Sequence, residues 1–195
     1  MMQASFCPVF LGLLLEPQNF FKEKFWYNLS MKKLSKYKKT LKDPLRQATL
    51  CFLLEKDKIL LAMKKKGFGQ GRYNGVGGKL KTGEKVEVAA LREAEEEIGI
   101  RPNKINKVAT LNFYFLHNPD WNQQVHVFFT KDWHGEPQES EEMTPEWFEM
   151  EKIPFESMWP DDIHWLPRVL QNEIIEAEFL FGENDQVLEF TVWKS

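Results

Sequence analysis

Three glutamates lie close together in one short stretch of the sequence and could hold a metal ion. Glu93, Glu96 and Glu97 occur at helical spacing, which would put their carboxylates on one side of a helix. Like charges at this spacing repel and cost about 0.2–0.5 kcal/mol per pair. Grouped carboxylate oxygens select hard cations such as Mg²⁺ or Mn²⁺. The alternative is a solvated acidic face that pairs with lysines or arginines from elsewhere, which is the more usual meaning of a charge run.

The apolar residues around the glutamates predict the helix that carries them. Between Val86 and Ile98 the buried face is predicted to comprise Val86, Ala90, Leu91, Ala94 and Ile98. Gly83 and Glu84 stand at the start, where an acid suits the positive end of the helix dipole. Gly99 follows the last periodic residue and is a normal helix stop.

The spacing across this stretch resembles the Nudix box. Gly78 is followed by five residues and Glu84, and seven further residues lead to Arg92-Glu93. Glu96-Glu97 and Gly99-Ile100 complete the pattern. The resemblance implies an α/β protein with the Nudix fold, an α/β/α sandwich with a mixed sheet. It also implies an enzyme that binds Mg²⁺, with Mn²⁺ possible, and cleaves a diphosphate linked to another moiety.

The resemblance assigns roles to the residues of the motif. The residues that match catalytic positions are Arg92, Glu93, Glu96 and Glu97, and the arginine would orient the carboxylates. The residues that match metal-binding positions are Gly77 (through its carbonyl), Glu93, Glu96, Glu97 and Glu142. A divalent ion polarises phosphoryl oxygens and lowers the pKa of a bound water, whose proton a glutamate could accept. Glu96 is a reasonable candidate for this base, but the sequence does not separate base from ligand.

Two further stretches, residues 63–79 and 155–165, resemble one subgroup of the family, the mammalian-type oxidised-purine nucleoside triphosphatases. The first, MKKKGFGQGRYNGVGGK, is dense in glycine and lysine, which suits close approach of the backbone to phosphates. The positions that match substrate-binding residues are Thr49, Lys64, Asn74, Val76, Gly77, Gly78, Lys79, Phe113, Trp159, Pro160, Asp161 and Asp162. The resemblance implies that Trp159 stacks on the base and that the two aspartates bind its edge.

The aspartates also support an argument from their own chemistry. Asp161 and Asp162 are adjacent and are flanked by Trp159 and Trp165, so we expect a partly apolar pocket. Desolvation and mutual repulsion should raise the pKa of at least one of them. A protonated aspartic acid donates a hydrogen bond and an ionised one only accepts, so the pair offers one donor and one acceptor. The alternative is that Asp161 merely caps the following helix.

The remaining periodicities predict the elements that position these residues. The predicted strands are Ala48–Leu54, Ile59–Met63, Lys107–His117, Val125–Thr130, Glu146–Glu149, Ala177–Phe181 and Val187–Val192, the last two forming a hairpin. A second helix is predicted over Asp161–Asn172, with Ile163, Leu166, Val169 and Leu170 turned inward.

Length and composition predict a single domain with an extension. We expect residues 46–195 to form the Nudix domain and residues 1–45 to be a loosely ordered extension, with Met31 as a possible true start. The run from Phe6 to Leu15 lacks the features of a signal peptide, and no apolar run reaches the roughly 18 residues that a membrane span needs. Cys7 and Cys51 make no disulfide framework, which favours a reducing, cytoplasmic location.

The function expected from the sequence is Mg²⁺-dependent hydrolysis of oxidised purine nucleoside triphosphates, 8-oxo-dGTP and 2-hydroxy-dATP, to monophosphate and pyrophosphate, which would sanitise the nucleotide pool. We expect a monomer that binds neither membranes nor, with a net charge of −3, nucleic acid stably. Two alternatives stay open. One is another Nudix diphosphatase that acts on ADP-ribose, dinucleoside polyphosphates or capped RNA, and the other is a non-catalytic nucleotide sensor.

Overall fold

The computed structural model describes residues 33–195. Its strands are β1 (Arg46–Glu55), β2 (Lys58–Lys64), β3 (Tyr73–Asn74), β4 (Arg101–Phe115), β5 (Gln123–His134), β6 (Met143–Glu149), β7 (Ile175–Phe181) and β8 (Val187–Lys194). Its helices include α1 (Val86–Ile98) and α2 (Asp162–Leu170), and residues 33–38 are also helical. The predictions that concern residues 1–32, including Cys7, the run Phe6–Leu15 and the start at Met31, lie outside the described residues.

The strands form one mixed sheet. Their order is β3-β2-β1-β5-β4-β7-β8, and β6 pairs with β2 as well. The pairs β1–β5 and β4–β7 are parallel, and the other pairs are antiparallel. The parallel pairing of β1 with β5 lies at the centre of the sheet and beside the turn that leads into α1.

The two faces of the sheet carry separate apolar cores because successive residues of a strand point to opposite sides. From β1, Phe52 and Leu54 belong to the core that α2 covers, whereas Cys51 and Leu53 belong to the core that α1 covers. Burial of Trp165 from α2 completes the first core. The arrangement is an α/β/α sandwich with a mixed sheet, and the predicted fold class is confirmed.

The predicted α1 coincides with the observed helix, but its buried face excludes Leu91 and includes two residues that were not predicted to be buried, Ala89 and Glu97. Leu91 is 36% exposed, and Ala89 lies fully buried instead. Ala89, Ala90 and Ala94 lie on the buried face, and the larger Leu91 lies at its rim. Gly99 adopts the left-handed conformation that ends the helix, with φ of 73°.

The second helix is shorter than predicted and also differs in one inward residue. It spans Asp162–Leu170, and Ile163 is 55% exposed rather than buried. Trp165, which was not predicted to face inward, fills the core in its place. The strand Tyr73–Asn74 was not predicted because two residues give no periodicity.

Four apolar residues of the segment 33–45 pack against the sheet. Leu34 is buried with Tyr114 and Leu180, on the same face of the sheet as α1. Tyr37, Leu41 and Leu45 pack around this small cluster. Within residues 33–195, no helix combines the length and the apolar character that crossing a membrane would require.

Candidate active site

A cavity of about 530 Å³ opens where β1, the glycine-rich segment before α1 and the loop before α2 meet. The sequence-predicted residues that line it are Thr49, Lys64, Asn74, Gly77, Gly78, Lys79, Glu93, Glu97, Phe113, Glu142, Trp159, Asp161 and Asp162. The cavity therefore brings together residues that are far apart in the sequence. Its walls contain one group of glutamates and lysines and one group of aspartates and aromatic rings.

Glu97 is the most buried of the predicted glutamates. It is 5% exposed, and its Oε2 accepts a hydrogen bond of 2.7 Å from the backbone N–H of Gly77. The Lys64 ammonium lies 3.0 Å from Glu97 Oε1 and 3.3 Å from Glu142 Oε2. Burial raises the pKa of Glu97, and the charge of Lys64 opposes this shift. Burial alone would lower the pKa of Lys64, but its two carboxylate partners outweigh burial and raise it.

Arg92 holds a second set of carboxylates at the edge of the cavity. Its guanidinium donates to Glu93 Oε1 at 2.7 Å and to Glu96 Oε2 at 2.9 Å. It also makes two hydrogen bonds with the Glu84 carboxylate, at 2.8 and 2.9 Å. These hydrogen bonds lower the pKa of Glu84 to about 2 and raise that of Arg92. This geometry fits the orienting role expected of Arg92.

Two glycines allow α1 to approach β1 at the cavity. A Cβ atom on Gly77 would lie 2.0 Å from the Thr49 carbonyl oxygen, and one on Gly78 would lie 2.6 Å from the Glu93 carboxylate. The Thr49 N–H donates to the Gly78 carbonyl at 2.9 Å, which fixes the turn against β1. Any larger residue at either position would displace the strand or the carboxylate.

The described glutamates are not assembled as a ready metal cage. Within residues 33–195, no three His, Cys, Asp or Glu side chains are arranged as metal ligands. Glu96 does not line the cavity, and its side chain is 54% exposed and turned towards Arg92 and Lys81.

The residues present nevertheless fit a divalent cation. Glu93, Glu97 and Glu142 supply hard oxygen donors to one cavity, and the Lys64 ammonium already places a positive charge between two of them. Glu93, Glu97 and Glu142 are therefore the side chains that would hold such an ion.

The adjacent aspartates are buried in the other group of lining residues. Asp161 and Asp162 are each 2% exposed. Trp165 Nε1 donates to Asp161 Oδ2 at 3.0 Å, and the Trp159 N–H donates to Asp162 Oδ2 at 3.0 Å. Burial raises the pKa of Asp161 to about 7. Burial, together with the charge of Asp161, raises the pKa of Asp162 well above its ordinary value.

The helix-capping alternative for Asp161 does not agree with the geometry. Asp161 occupies the N-cap position of α2, but its side chain makes no capping hydrogen bond there. Its carboxylate is bound by Trp165 instead. The burial of the pair is therefore not explained by helix capping.

Several residues of the aromatic wall were not predicted from the sequence. Phe68 stacks on Trp159, with ring centroids 4.8 Å apart, and the Arg72 guanidinium lies 4.1 Å from the centroid of the Trp159 ring. Phe115 and Phe181 line the cavity and stack on each other at 4.7 Å. Phe68 stands between two glycines in the sequence, which could have marked it as a candidate site residue. Nothing in the sequence distinguished Arg72.

Two predicted substrate-binding residues lie away from the cavity. Val76 is 1% exposed in the core under α1, and its backbone pairs with Cys51 through hydrogen bonds of 2.7 and 3.0 Å. Pro160 is exposed and does not line the cavity. Their assignment as substrate contacts stays a prediction, because the structure brings neither side chain to the other site residues.

Comparison with known proteins agrees with this geometry. Residues 44–169 match the NUDIX domain. The chain belongs to the Nudix hydrolase family, as predicted from the sequence. Nudix hydrolases generally use a divalent metal ion, and the oxygen donors described above are suited to one.

Two named relatives match most of this chain and most of their own length. The oxidized purine nucleoside triphosphate hydrolase of Mus musculus is 42% identical over 147 residues, which cover 75% of this chain and 94% of the relative. The protein of the same name from Danio rerio is 43% identical over 141 residues, which cover 72% and 90%. The crystal structure of a MutT protein from Bacillus halodurans superposes with a TM-score of 0.67 at 21% identity, covering 76% of this chain and 97% of that one.

Proposed function

We propose that this Nudix hydrolase cleaves oxidised purine nucleoside triphosphates, 8-oxo-dGTP and 2-hydroxy-dATP, to the monophosphate and pyrophosphate with Mg²⁺. The observation that carries the proposal is the buried Asp161–Asp162 pair beside Trp159, in the same cavity as Glu93, Glu97 and Lys64. The names of the mouse and zebrafish relatives support the same substrate class. In a cell, such an activity would remove damaged precursors from the nucleotide pool.

The aspartate pair would bind the edge of the base. Because the pKa of Asp161 is about 7 and that of Asp162 is also raised, the pair holds a proton at neutral pH. One carboxyl then donates a hydrogen bond and the other accepts one. Moving the proton between them would present the same two groups in the opposite order, which suits two differently oxidised purines. Phe68 and Arg72 lie against the Trp159 ring in this structure, so the base would stack on Trp159 in place of one of them. Such stacking is worth about 1–3 kcal/mol, the range for aromatic stacking on nucleobases.

The lysines and the glycine turn would hold the triphosphate. Lys64 and Lys79 line the cavity, and the turn at Gly77 and Gly78 leaves room for phosphate oxygens to approach the backbone. Glu93, Glu97 and Glu142 would hold Mg²⁺ together with the Gly77 carbonyl. The ion, when bound, polarises the phosphoryl oxygens and activates a water.

The protein's own groups would complete the reaction. Arg92 keeps the Glu93 carboxylate directed along the cavity edge, and the Gly77 N–H holds Glu97. Glu97 is buried and has a raised pKa, so it is suited to accept a proton from the attacking water. Glu96, the base suggested by the sequence, is exposed in this structure and would need to rotate to reach the cavity.

A product assay on a substrate panel tests the proposal. The panel contains 8-oxo-dGTP, 2-hydroxy-dATP, dGTP, dATP, ADP-ribose, a dinucleoside tetraphosphate and capped RNA, each with Mg²⁺ and with EDTA. We expect monophosphate and pyrophosphate from the oxidised triphosphates, with kcat/KM at least about tenfold above that for dGTP, the discrimination that one good base-edge contact supplies. Faster turnover of ADP-ribose, the dinucleoside or the cap would replace the proposal with that activity.

The same proposal includes a monomer in the cytoplasm that binds neither membranes nor nucleic acid stably. Light scattering after gel filtration measures the oligomeric state, and imaging of the tagged full chain measures its location in the cell. A stable dimer or a membrane-bound signal would contradict these parts without affecting the assignment of the substrate.

A further inference from the structure

A residue outside the region that matches the family contacts the wall of the cavity. The NUDIX match begins at residue 44, and Tyr37 precedes it. Tyr37 lies at the edge of the small cluster formed by Leu34, Tyr114 and Leu180. Its hydroxyl reaches past this cluster to the end of β4.

The Tyr37 hydroxyl takes part in a closed set of hydrogen bonds. It donates to the Phe115 carbonyl at 3.0 Å and accepts from Asn122 Nδ2 at 3.0 Å. Asn122 Oδ1 in turn accepts from the Phe115 N–H at 2.7 Å. Asn122 is 8% exposed, so water does not readily replace these partners. The Phe115 carbonyl is therefore bonded directly to Tyr37, and the Phe115 N–H is linked to Tyr37 through Asn122.

Phe115 and the loop after it form the aromatic wall of the cavity. The Phe115 ring lies 4.7 Å from Phe181 and 6.4 Å from Trp159, measured between centroids. Trp121, the residue before Asn122, packs on Phe115 at 5.7 Å and on Phe68 at 5.1 Å. Phe68 in turn stacks on Trp159. A shift of the strand end would therefore move the rings between which a base must fit.

We propose that Tyr37 is a positioning residue for the base pocket. The Tyr37 hydroxyl holds Phe115 and the loop that ends at Asn122 in place. This sets the distance between the aromatic wall and Trp159. Tyr37 does not line the cavity, so it acts on substrate affinity through Phe115 and leaves the phosphate chemistry unchanged. The identity of the base that the pocket binds rests on the proposed function, whereas the hydrogen bonds of Tyr37 do not depend on it.

The variant Tyr37→Phe removes only the hydroxyl and leaves the Phe115 carbonyl and Asn122 Nδ2 without their partner. Loss of hydrogen bonds of this kind should raise KM for 8-oxo-dGTP roughly three- to tenfold and leave kcat within about twofold. The matched control is Tyr114→Phe. The Tyr114 ring packs edge-on against Tyr37 at 6.3 Å, but its hydroxyl points to Glu178 at 3.4 Å. We expect wild-type KM and kcat from the control.

A second measurement needs no substrate. The indole N–H resonances of Trp121 and Trp159, assigned from Trp121→Phe and Trp159→Phe, should shift in Tyr37→Phe and stay in place in Tyr114→Phe. The inference is overturned if Tyr37→Phe keeps the wild-type KM with unshifted indoles, or if both variants change KM and the indoles equally. If the wild-type enzyme leaves 8-oxo-dGTP intact, the proposed function fails, and the indole shifts still decide the role of Tyr37.

Discussion

Glu97 and the two aspartates of the cavity are buried, but among the described residues only the cavity glutamates are in direct contact with cationic side chains. Glu97 contacts the Lys64 ammonium at 3.0 Å, and Glu93 contacts the Arg92 guanidinium at 2.7 Å. The contact with Lys64 opposes the rise in the pKa of Glu97 that burial causes. Cationic side chains therefore already face the carboxylates on this side of the cavity.

The aspartates contact neutral donors. Asp161 accepts from the Trp165 indole and Asp162 accepts from the Trp159 backbone, both at 3.0 Å. The charge of Arg72 lowers the pKa of each aspartate, but burial is the larger effect and raises both. This half of the cavity retains a proton, which the proposed recognition of the base edge would use.

The partner of a buried carboxylate affects its protonation. A cationic partner favours the ionised form, whereas burial beside neutral groups favours the protonated form, which can donate a hydrogen bond. Substitutions on the two sides should therefore fail in different ways, one through turnover and the other through base recognition.

The largest effect is expected from Glu97→Gln. The substitution removes a charge from the predicted metal site and the proposed proton acceptor, so kcat should fall by about 10²–10⁴-fold. The matched control is Glu95→Gln on the exposed side of α1, where the side chain pairs with Arg101. A Glu97→Gln protein with wild-type turnover would contradict the catalytic role. A chain that binds nucleotides without turning them over, before or after substitution, would be a sensor.

A smaller and more selective effect is expected from Asp161→Asn or Asp162→Asn. The amide fixes the donor and acceptor that the carboxyl pair can exchange, so kcat/KM for 8-oxo-dGTP should fall roughly 10- to 100-fold, with a smaller change for dGTP. Asp132→Asn, an exposed position bonded to Asn103, serves as the control. Equal losses on both substrates would contradict the assignment of these aspartates to the base.

The raised pKa values predict how stability depends on pH. Because the folded protein holds a proton on Asp161 up to about pH 7 and the unfolded chain releases it near the ordinary value of 3.8, unfolding releases protons between these limits. The contribution of Asp161 to the free energy of unfolding is therefore greatest below 3.8 and is lost as pH rises through about 7.

Denaturant unfolding of the wild type and of Asp161→Asn across this range measures the effect. The variant should be the more stable protein at about pH 8, although it is the less active one. A wild type whose stability rises steadily from acid to neutral pH, in parallel with the variant, would contradict the burial of a protonated carboxyl.

The smallest effect is expected from Arg72→Met. The guanidinium lies 4.1 Å from the centre of the Trp159 ring, and its charge opposes protonation of the aspartates. Loss of the cation–π contact, about 0.5–1 kcal/mol at a partly exposed site, should raise KM for 8-oxo-dGTP a few-fold. The pKa of the aspartates should rise as well. Arg101→Met, which removes an exposed arginine, is the control, and an equal change in both variants would exclude a specific role for Arg72.

The sequence was most informative where a local pattern determines the structure. Helix α1 was predicted with its observed ends, since apolar spacing and Gly99 define them within one segment. Periodicity did not identify the neighbours of the helix, and Leu91 was therefore wrongly expected to be buried. Periodicity likewise did not predict that Glu96 would lie outside the cavity. Residues four apart are nearly in line on a helix, so Glu93 and Glu97 share the cavity, whereas Glu96 lies about 100° from Glu97.

The resemblance to the family predicted about half of the residues that line the cavity, and it did not predict contacts made by residues outside its motifs. Tyr37 is 78 positions from Phe115 in the chain, and no local signal connects them. Phe68 and Arg72 reach Trp159 only because the glycine-rich segment folds back over it. Such contacts depend on the tertiary arrangement of loops, which spacing along the sequence does not encode.

The contrast between the two groups of acids is tested most directly by a carboxyl-carbon NMR titration of selectively labelled enzyme. We expect Asp161 to titrate near pH 7 and Asp162 to keep its proton well above the ordinary aspartate value. We also expect the titration to move when 8-oxo-dGMP is added. Titration of both aspartates near 3.8, with no response to the nucleotide, would contradict the claim that this pair keeps a proton to recognise the base.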